Sequence, residues 1–203
     1  GTDPGVTRRD RRNLLDDLAQ LNGLRLEKLG DPEITTRMAQ YEMAYRMQLS
    51  VPELTDISDE PKSVLDLYGS SVTEPGSYAA NCLLARRLVQ RGVRFVQLYA
   101  GGGPGNLTWD GHSDIEENHL RMAGQSDKPV AGLLKDLKRR GLLEKTLVIW
   151  GGEFGRTPMS QGETGRDHSP FGFSIWMAGG GIQGGRMVGQ TDEIGLRAVE
   201  NPY

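Results

Sequence analysis

Apolar positions recur every three or four residues near the start of the chain. Leu14, Leu15, Leu18, Leu21 and Leu24 make one stripe over residues 11–29, the pattern of an amphipathic helix, and Gly30 offers its C-terminal stop. Asp31 and Pro32 then supply an N-cap and a first-turn proline. Ile34, Met38, Tyr41, Met43, Tyr45 and Met47 mark the buried side of a second helix reaching about Gln48, with the Met and Tyr side chains expected in a core. Pro52, Pro61 and Pro75 break residues 50–75 into short pieces, one of them helical over 61–68. Tyr78, Cys82, Leu83, Leu84, Leu88 and Val89 predict a further amphipathic helix over 76–90.

Beyond Gly92 the period changes. The run VRFVQLY (93–99) reads as a strand, followed by a glycine-rich loop at 101–105. A helix pattern spans about 113–122, and Ser126 or Asp127 caps another, with Pro129 in its first turn and Val130, Leu133, Leu134 and Leu137 on its apolar side, stopping at Gly141. Residues 146–150 and 173–178 are continuous apolar runs, which suit strands buried on both faces of a parallel sheet. This alternation predicts an α/β fold, a mostly parallel sheet flanked by helices, with a helical region at 1–75 and the α/β core at 76–203. Ligands of such folds sit beyond the carboxyl ends of the strands, here the loops after Tyr99, Trp150 and Ala178.

Composition narrows the function. A chain of 203 residues buries enough surface to stand without disulfides or a structural metal, and its one cysteine, Cys82, reads as a small core residue. Lys plus Arg is 24 against 27 Asp plus Glu, a formal charge of −3, which argues against a nucleic-acid partner. No apolar run approaches the length of a transmembrane segment, and the N-terminal residues lack the apolar core of a signal peptide, which leaves the compartment open. Of 28 glycines, six lie in residues 1–91 and 22 in 92–203, so the second part carries the loops.

The chemistry falls in the same part. The three histidines are His112, His119 and His168. Asp110 and His112, two residues apart on a turn, can converge on a divalent ion, since carboxylate oxygen and imidazole nitrogen both suit Zn²⁺ or Mn²⁺. Gly151 and Gly152 let the chain turn after a strand and present Glu153, a further carboxylate ligand or the ion-pair partner of Arg156, whose planar donors match phosphate or sulfate oxygens. Asp167 and His168, beside Arg166, form another ligand pair or a plain turn. His119, with Glu116, reads as a solvated helix face. A nucleotide site is disfavoured because the glycine loop lacks the Lys-Ser/Thr of a P-loop, and a serine hydrolase because no G-x-S-x-G occurs.

The order of these clusters resembles the alkaline phosphatase-like superfamily of metal-dependent phosphatases, phosphodiesterases, mutases and sulfatases. More closely, TLVIWGGEFGRTP (146–158), GRDHSP (165–170) and LLARRLVQRGVRFVQLY (83–99) look like an uncharacterised, sulfatase-like bacterial family within it. The resemblance implies an alkaline phosphatase-like fold with one ion on Asp110, His112 and His168. It puts Glu153 at a second ion, where Phe154 stands in the place of a histidine. Members of that family are longer, so the chain is expected to be a partial copy lacking the nucleophile region, and relatives are often exported. The expected function is a metal-dependent hydrolase of a small phosphate or sulfate ester. Asp110, His112, Glu153, Asp167 and His168 would be metal ligands for Zn, Mn or Ca/Mg, and Arg156 and Arg166 would stabilise the transferred group. The alternative is a non-catalytic binding module, and homo-oligomerisation is a further expectation.

Overall fold

The computed structural model describes residues 7–101 and 108–200, with the side chains of 8 and 47–50 also outside the described set. The chain divides into two compact units between Ser58 and Asp59. In the first, α1 (Arg8–Leu29) begins in a capping box between Thr7 and Asp10 and ends at Gly30, whose φ of 65° is the left-handed turn that glycine adopts without strain. Helix α2 (Pro32–Thr55) is capped by Asp31 and continues through Pro52. Arg12 links the two helices, pairing with Glu42 at 2.7 Å. The stripe predicted to be buried is largely open: Leu14, Leu18, Leu21 and Leu24 are exposed, as are Tyr41 and Met43 of the expected core. A helical pair by itself has one interface, too narrow to cover a stripe this wide. The side chain of Met47 lies outside the described residues.

The second unit has a helical core. Helices α3 (Lys62–Tyr68), α4 (Tyr78–Gln90) and α5 (Ile115–Arg139) bury Tyr68, Val72, Ala79, Cys82, Leu83, Leu133 and Leu137 between them. The unit begins at Asp59, upstream of the partition expected at 75/76, because α3 and the turn after it pack on α4 and α5. The two helices expected at 113–122 and from 126 are one. Ile115, Met122, Ser126, Pro129, Leu133 and Leu137 keep a single phase across Pro129, so the buried stripe holds the helix together through the proline. At Gly132, a β-carbon would overlap the backbone of Leu67, so the glycine sets how closely α5 approaches α3.

A buried ionic network ties these helices. Arg86 is 2% exposed. Its Nη2 lies 2.6 Å from Glu60 Oε1 and its Nε 2.8 Å from Asp136 Oδ2, both off the hydrogen-bond line, while Nη1 donates to Gln90. Asp136 also accepts from the Tyr68 hydroxyl at 3.0 Å and from Arg140 Nε at 2.8 Å. Arg87 pairs with Asp59 and Glu60. Burial, then the charge of Asp136, pushes the Tyr68 hydroxyl well above its usual range.

The expected alkaline phosphatase-like α/β fold with a mostly parallel sheet is not what forms. Three separate two-stranded antiparallel ribbons occur among the described residues: β1 (Leu147–Trp150) with β4 (Trp176–Gly179), β2 (Gly155–Gln161) with β3 (Gly165–Ser169), and β5 (Gln190–Thr191) with β6 (Ala198–Glu200). Parallel strands need a crossover of a dozen or more residues, normally a helix. Between β1 and β4 the chain instead makes the β2–β3 hairpin and returns antiparallel, with Trp150 opposite Trp176. Residues 93–99, predicted as a strand, join no ladder, and Phe95 is 80% exposed. Only Gly101 of the predicted glycine loop falls within the described residues. No helix described is long and apolar enough to cross a membrane.

Removing one partner of a buried ion pair strands the other's charge, at a cost of about 3–5 kcal/mol. Asp136→Ala is expected to lower the urea midpoint accordingly, and Asp136→Asn, which still accepts from Tyr68, to lower it less. Cys82 is fully buried and its thiol is pushed up to about 12 by burial. Labelling of Cys82 by a thiol reagent at mildly alkaline pH should therefore be slow in the parent and faster in Asp136→Ala. An unchanged rate would mean that the network does not hold the helices.

Candidate metal-binding site

The site grows out of a loop resting on a hairpin. In the β2–β3 ribbon Arg156 stands opposite His168 and Gln161 opposite Gly165, with the register shifting between 156 and 160. Pro158, which has no N–H to give a ladder, falls within that irregular stretch. Directly opposed residues share a face, so Arg156 and His168 project together. The loop before α5 lies across the far end of the hairpin. Arg166 N donates to Gly111 O at 3.0 Å, Ile115 N to Thr164 O at 3.2 Å, and Asp114 N to Thr164 Oγ1 at 3.0 Å. Asp114 takes a left-handed conformation, with φ 44°, to start α5. Gly165 lies so close to this loop that a β-carbon there would overlap the His112 carbonyl.

These contacts bring Asp110, His112 and His168 together, with one ligand atom from each inside a span of 4.8 Å. Asp110 Oδ1 is the focus: His168 Nε2 lies 3.0 Å away, His112 Nε2 3.1 Å, and Arg156 Nη2 2.5 Å. Hydrogen bonds from His168 and then Arg156 hold the Asp110 carboxyl at about 2, below its ordinary 3.8. The site is open to water, with side-chain exposures of 48%, 42% and 41% for Asp110, His112 and His168. The two imidazole rings are 4.7 Å apart, and Phe154 backs His168 at 4.2 Å between ring centroids. Arg156 also donates to Arg166 O and lies over the Phe154 ring.

The other proposed residues lie apart from this focus. Glu153 is exposed and supplies no atom to the cluster. The Asp167 carboxylate turns back to accept from His168 N at 2.8 Å. Arg166 uses its guanidinium on the carbonyl of Gly165. His119 packs on Trp109, 5.4 Å between ring centroids.

Sequence reasoning missed two features beside the site. One is Gln161, whose Oε1 is 2.5 Å from His112 Nδ1. The stretch QGETG (161–165) carries the glycines and short polar residues of a hairpin turn, the signal that could have set Gln161 opposite Gly165. The other is an aromatic cluster holding all three tryptophans: Trp150 stacks on Trp176, and Trp109, the neighbour of Asp110, meets Trp150 edge-on at 6.0 Å.

A family model described as "Protein of unknown function (DUF1501)" matches residues 1–203. The chain belongs to the DUF1501 family. Comparison with curated proteins and with solved structures finds no match. The expected membership of a sulfatase-like, alkaline phosphatase-like family is thereby corrected: the family shown is DUF1501, and nothing found points to the other. Short glycine-flanked stretches such as 151–156 encode a turn after a strand, and that local geometry is shared by many unrelated sites.

Two outcomes test the geometry of this DUF1501 chain. The depressed Asp110 carboxyl contributes to stability above its ordinary value, and that contribution is lost as pH falls through about 2. Arg156→Ala and His168→Ala should each raise its titration midpoint toward 3.8, read by carboxyl-carbon NMR. Gly165→Ala should displace the 111–115 loop and shift the His112 ring resonances while the far-UV signal of the helices holds. Unmoved His112 resonances would refute the close approach.

Proposed function

We propose that Asp110, His112 and His168 bind a divalent cation and that the site hydrolyses small phosphate or sulfate esters, with Arg156 gripping the anionic group. The carrying observation is the convergence of one carboxylate oxygen and two imidazole nitrogens beside a guanidinium on the same oxygen. Two nitrogens and one oxygen are the donor set of a three-ligand site that keeps positions open for water and substrate, and they suit Zn²⁺ or Mn²⁺. A bound divalent ion supplies Lewis-acid stabilisation of an ester oxygen and acidifies water.

The chain's own residues do the rest. Asp110 Oδ1 is shared by both imidazoles and Arg156, and the guanidinium would be released from that oxygen where Asp110 served as a metal ligand. Arg156, still hydrogen-bonded to Arg166 O, is then free to pair its planar donors with the nonbridging oxygens of an ester anion. Phe154 backs both His168 and Arg156 and limits their swing. Water's oxygen joins phosphorus or sulfur, the ester bond breaks, and the departing alcohol takes the proton. Neither Glu153, Asp167 nor Arg166 is needed for this reading.

A second reading, a metal-binding interaction module without turnover, draws on the openness of the ligands, each more than two-fifths exposed. Zn²⁺ and Mn²⁺ titrations followed by tryptophan fluorescence separate the readings, because Trp109 adjoins Asp110. Stoichiometric binding in the parent, lost in His168→Ala and Asp110→Asn, supports the centre. Hydrolysis of aryl phosphate or aryl sulfate by the metal-loaded parent, reduced at least tenfold in Arg156→Ala at unchanged metal content, supports the hydrolase. Binding without hydrolysis leaves the module, and no binding overturns both.

A further inference from the structure

Gln161 reaches the candidate centre from the last residue of β2, and its partner across the hairpin, Gly165, touches the backbone of His112. The same short turn therefore meets His112 twice, in close approach to its carbonyl and in a hydrogen bond to its ring. The ring contact runs from Gln161 Oε1 to His112 Nδ1 at 2.5 Å. An amide oxygen has only lone pairs to offer, so the proton of this bond sits on Nδ1. In a neutral imidazole that leaves Nε2 with its lone pair, and Nε2 is the atom 3.1 Å from Asp110 Oδ1. That lone pair faces a carboxylate oxygen, an arrangement that a cation bound by both, or a second proton on the ring, relieves.

We propose that Gln161 is a positioning residue of this site, its amide oxygen fixing the His112 tautomer and ring angle so that Nε2 faces the ion. The assignment rests on the metal-centre reading for its functional consequence but not for its tautomer. Outer partners of this type hold a metal-ligating histidine in one tautomer, and their loss typically weakens metal affinity about 10- to 100-fold. The hairpin suits the role, because a strand residue paired across a short turn has little freedom to leave its ring. Gln161 is exposed, so its replacement removes no core packing.

The test compares the parent with Gln161→Ala and Gln161→Glu. The Glu variant keeps an acceptor oxygen at the same reach and serves as the conservative rescue. Zn²⁺ affinity is measured by calorimetry on the full chain, and the His112 tautomer by ring-nitrogen NMR of the metal-free protein at a pH where the imidazoles are neutral. The expected result is an Nδ1–H tautomer in the parent and in Gln161→Glu, and a mixed population in Gln161→Ala. With it comes a roughly 10- to 100-fold loss of Zn²⁺ affinity in Gln161→Ala, recovered in Gln161→Glu. Equal affinity and an unchanged tautomer in Gln161→Ala would overturn the proposal while leaving the metal centre intact. A Gln161→Glu variant that behaves as Ala would overturn it as well. If the parent binds no Zn²⁺ yet the tautomer still follows residue 161, the metal reading fails and the tautomer assignment stands.

Discussion

The second unit depends on charges that cannot be left alone. Arg86 and Asp136 are almost wholly removed from water, and Glu60 nearly so. An isolated ion in such surroundings would carry several kcal/mol of desolvation. Each is tolerated only because the others stand where they do: Glu60 ahead of α3, Arg86 and Arg87 on α4, Asp136 on α5 and Arg140 just past its end, with the Tyr68 hydroxyl from α3. Apolar packing alone permits helices to slide, because it has no direction. An ionic network has one geometry that satisfies it and many that do not, so it fixes register as well as proximity. The approach of α5 to α3 at Gly132 works toward the same end.

From that frame the candidate centre follows by a chain of local constraints. Helix α5 starts at Ile115, and the loop before it is held by the hairpin turn at Thr164, Gly165 and Arg166. The hairpin pairs Arg156 with His168, so two strands deliver both to Asp110. No single segment contains the site. It exists only while the loop and both strands of the hairpin keep their places, a way to draw two imidazoles and a guanidinium to one carboxylate oxygen in a region with little buried apolar surface.

Helix ends were the most legible part of this sequence, because caps act locally. Asp31 with Pro32 and the glycine at 30 announce their boundaries within a few residues. Partnerships were less legible. The run 146–150 is apolar enough for a buried parallel strand, yet the chain forms no helix between Trp150 and Trp176 to carry a parallel crossover. In α5 the phase of Met122, Pro129, Leu133 and Leu137 outweighed the breaking tendency of proline. At the site, residue type singled out Asp110, His112 and His168, but it gave equal weight to Glu153 and Asp167. A carboxylate's neighbours in sequence do not reveal whether it turns toward a cluster or back on its own strand, as Asp167 does. Gln161 carries no chemistry in isolation and becomes visible only through what lies opposite it.

The grip on residues 111–115 is made largely by main-chain atoms: Gly111 O, Ile115 N, Thr164 O and Arg166 N. Side-chain identity at Ser113, Glu163 or Arg166 therefore has room to drift over evolutionary time without moving the frame. Length has no such room. One residue inserted into or deleted from a hairpin arm turns every later side chain on that strand to the opposite face, and Arg156, Gln161 and His168 would no longer look the same way. Across divergent copies of this chain, the spacing between positions 156 and 168 should outlast most of the letters between them.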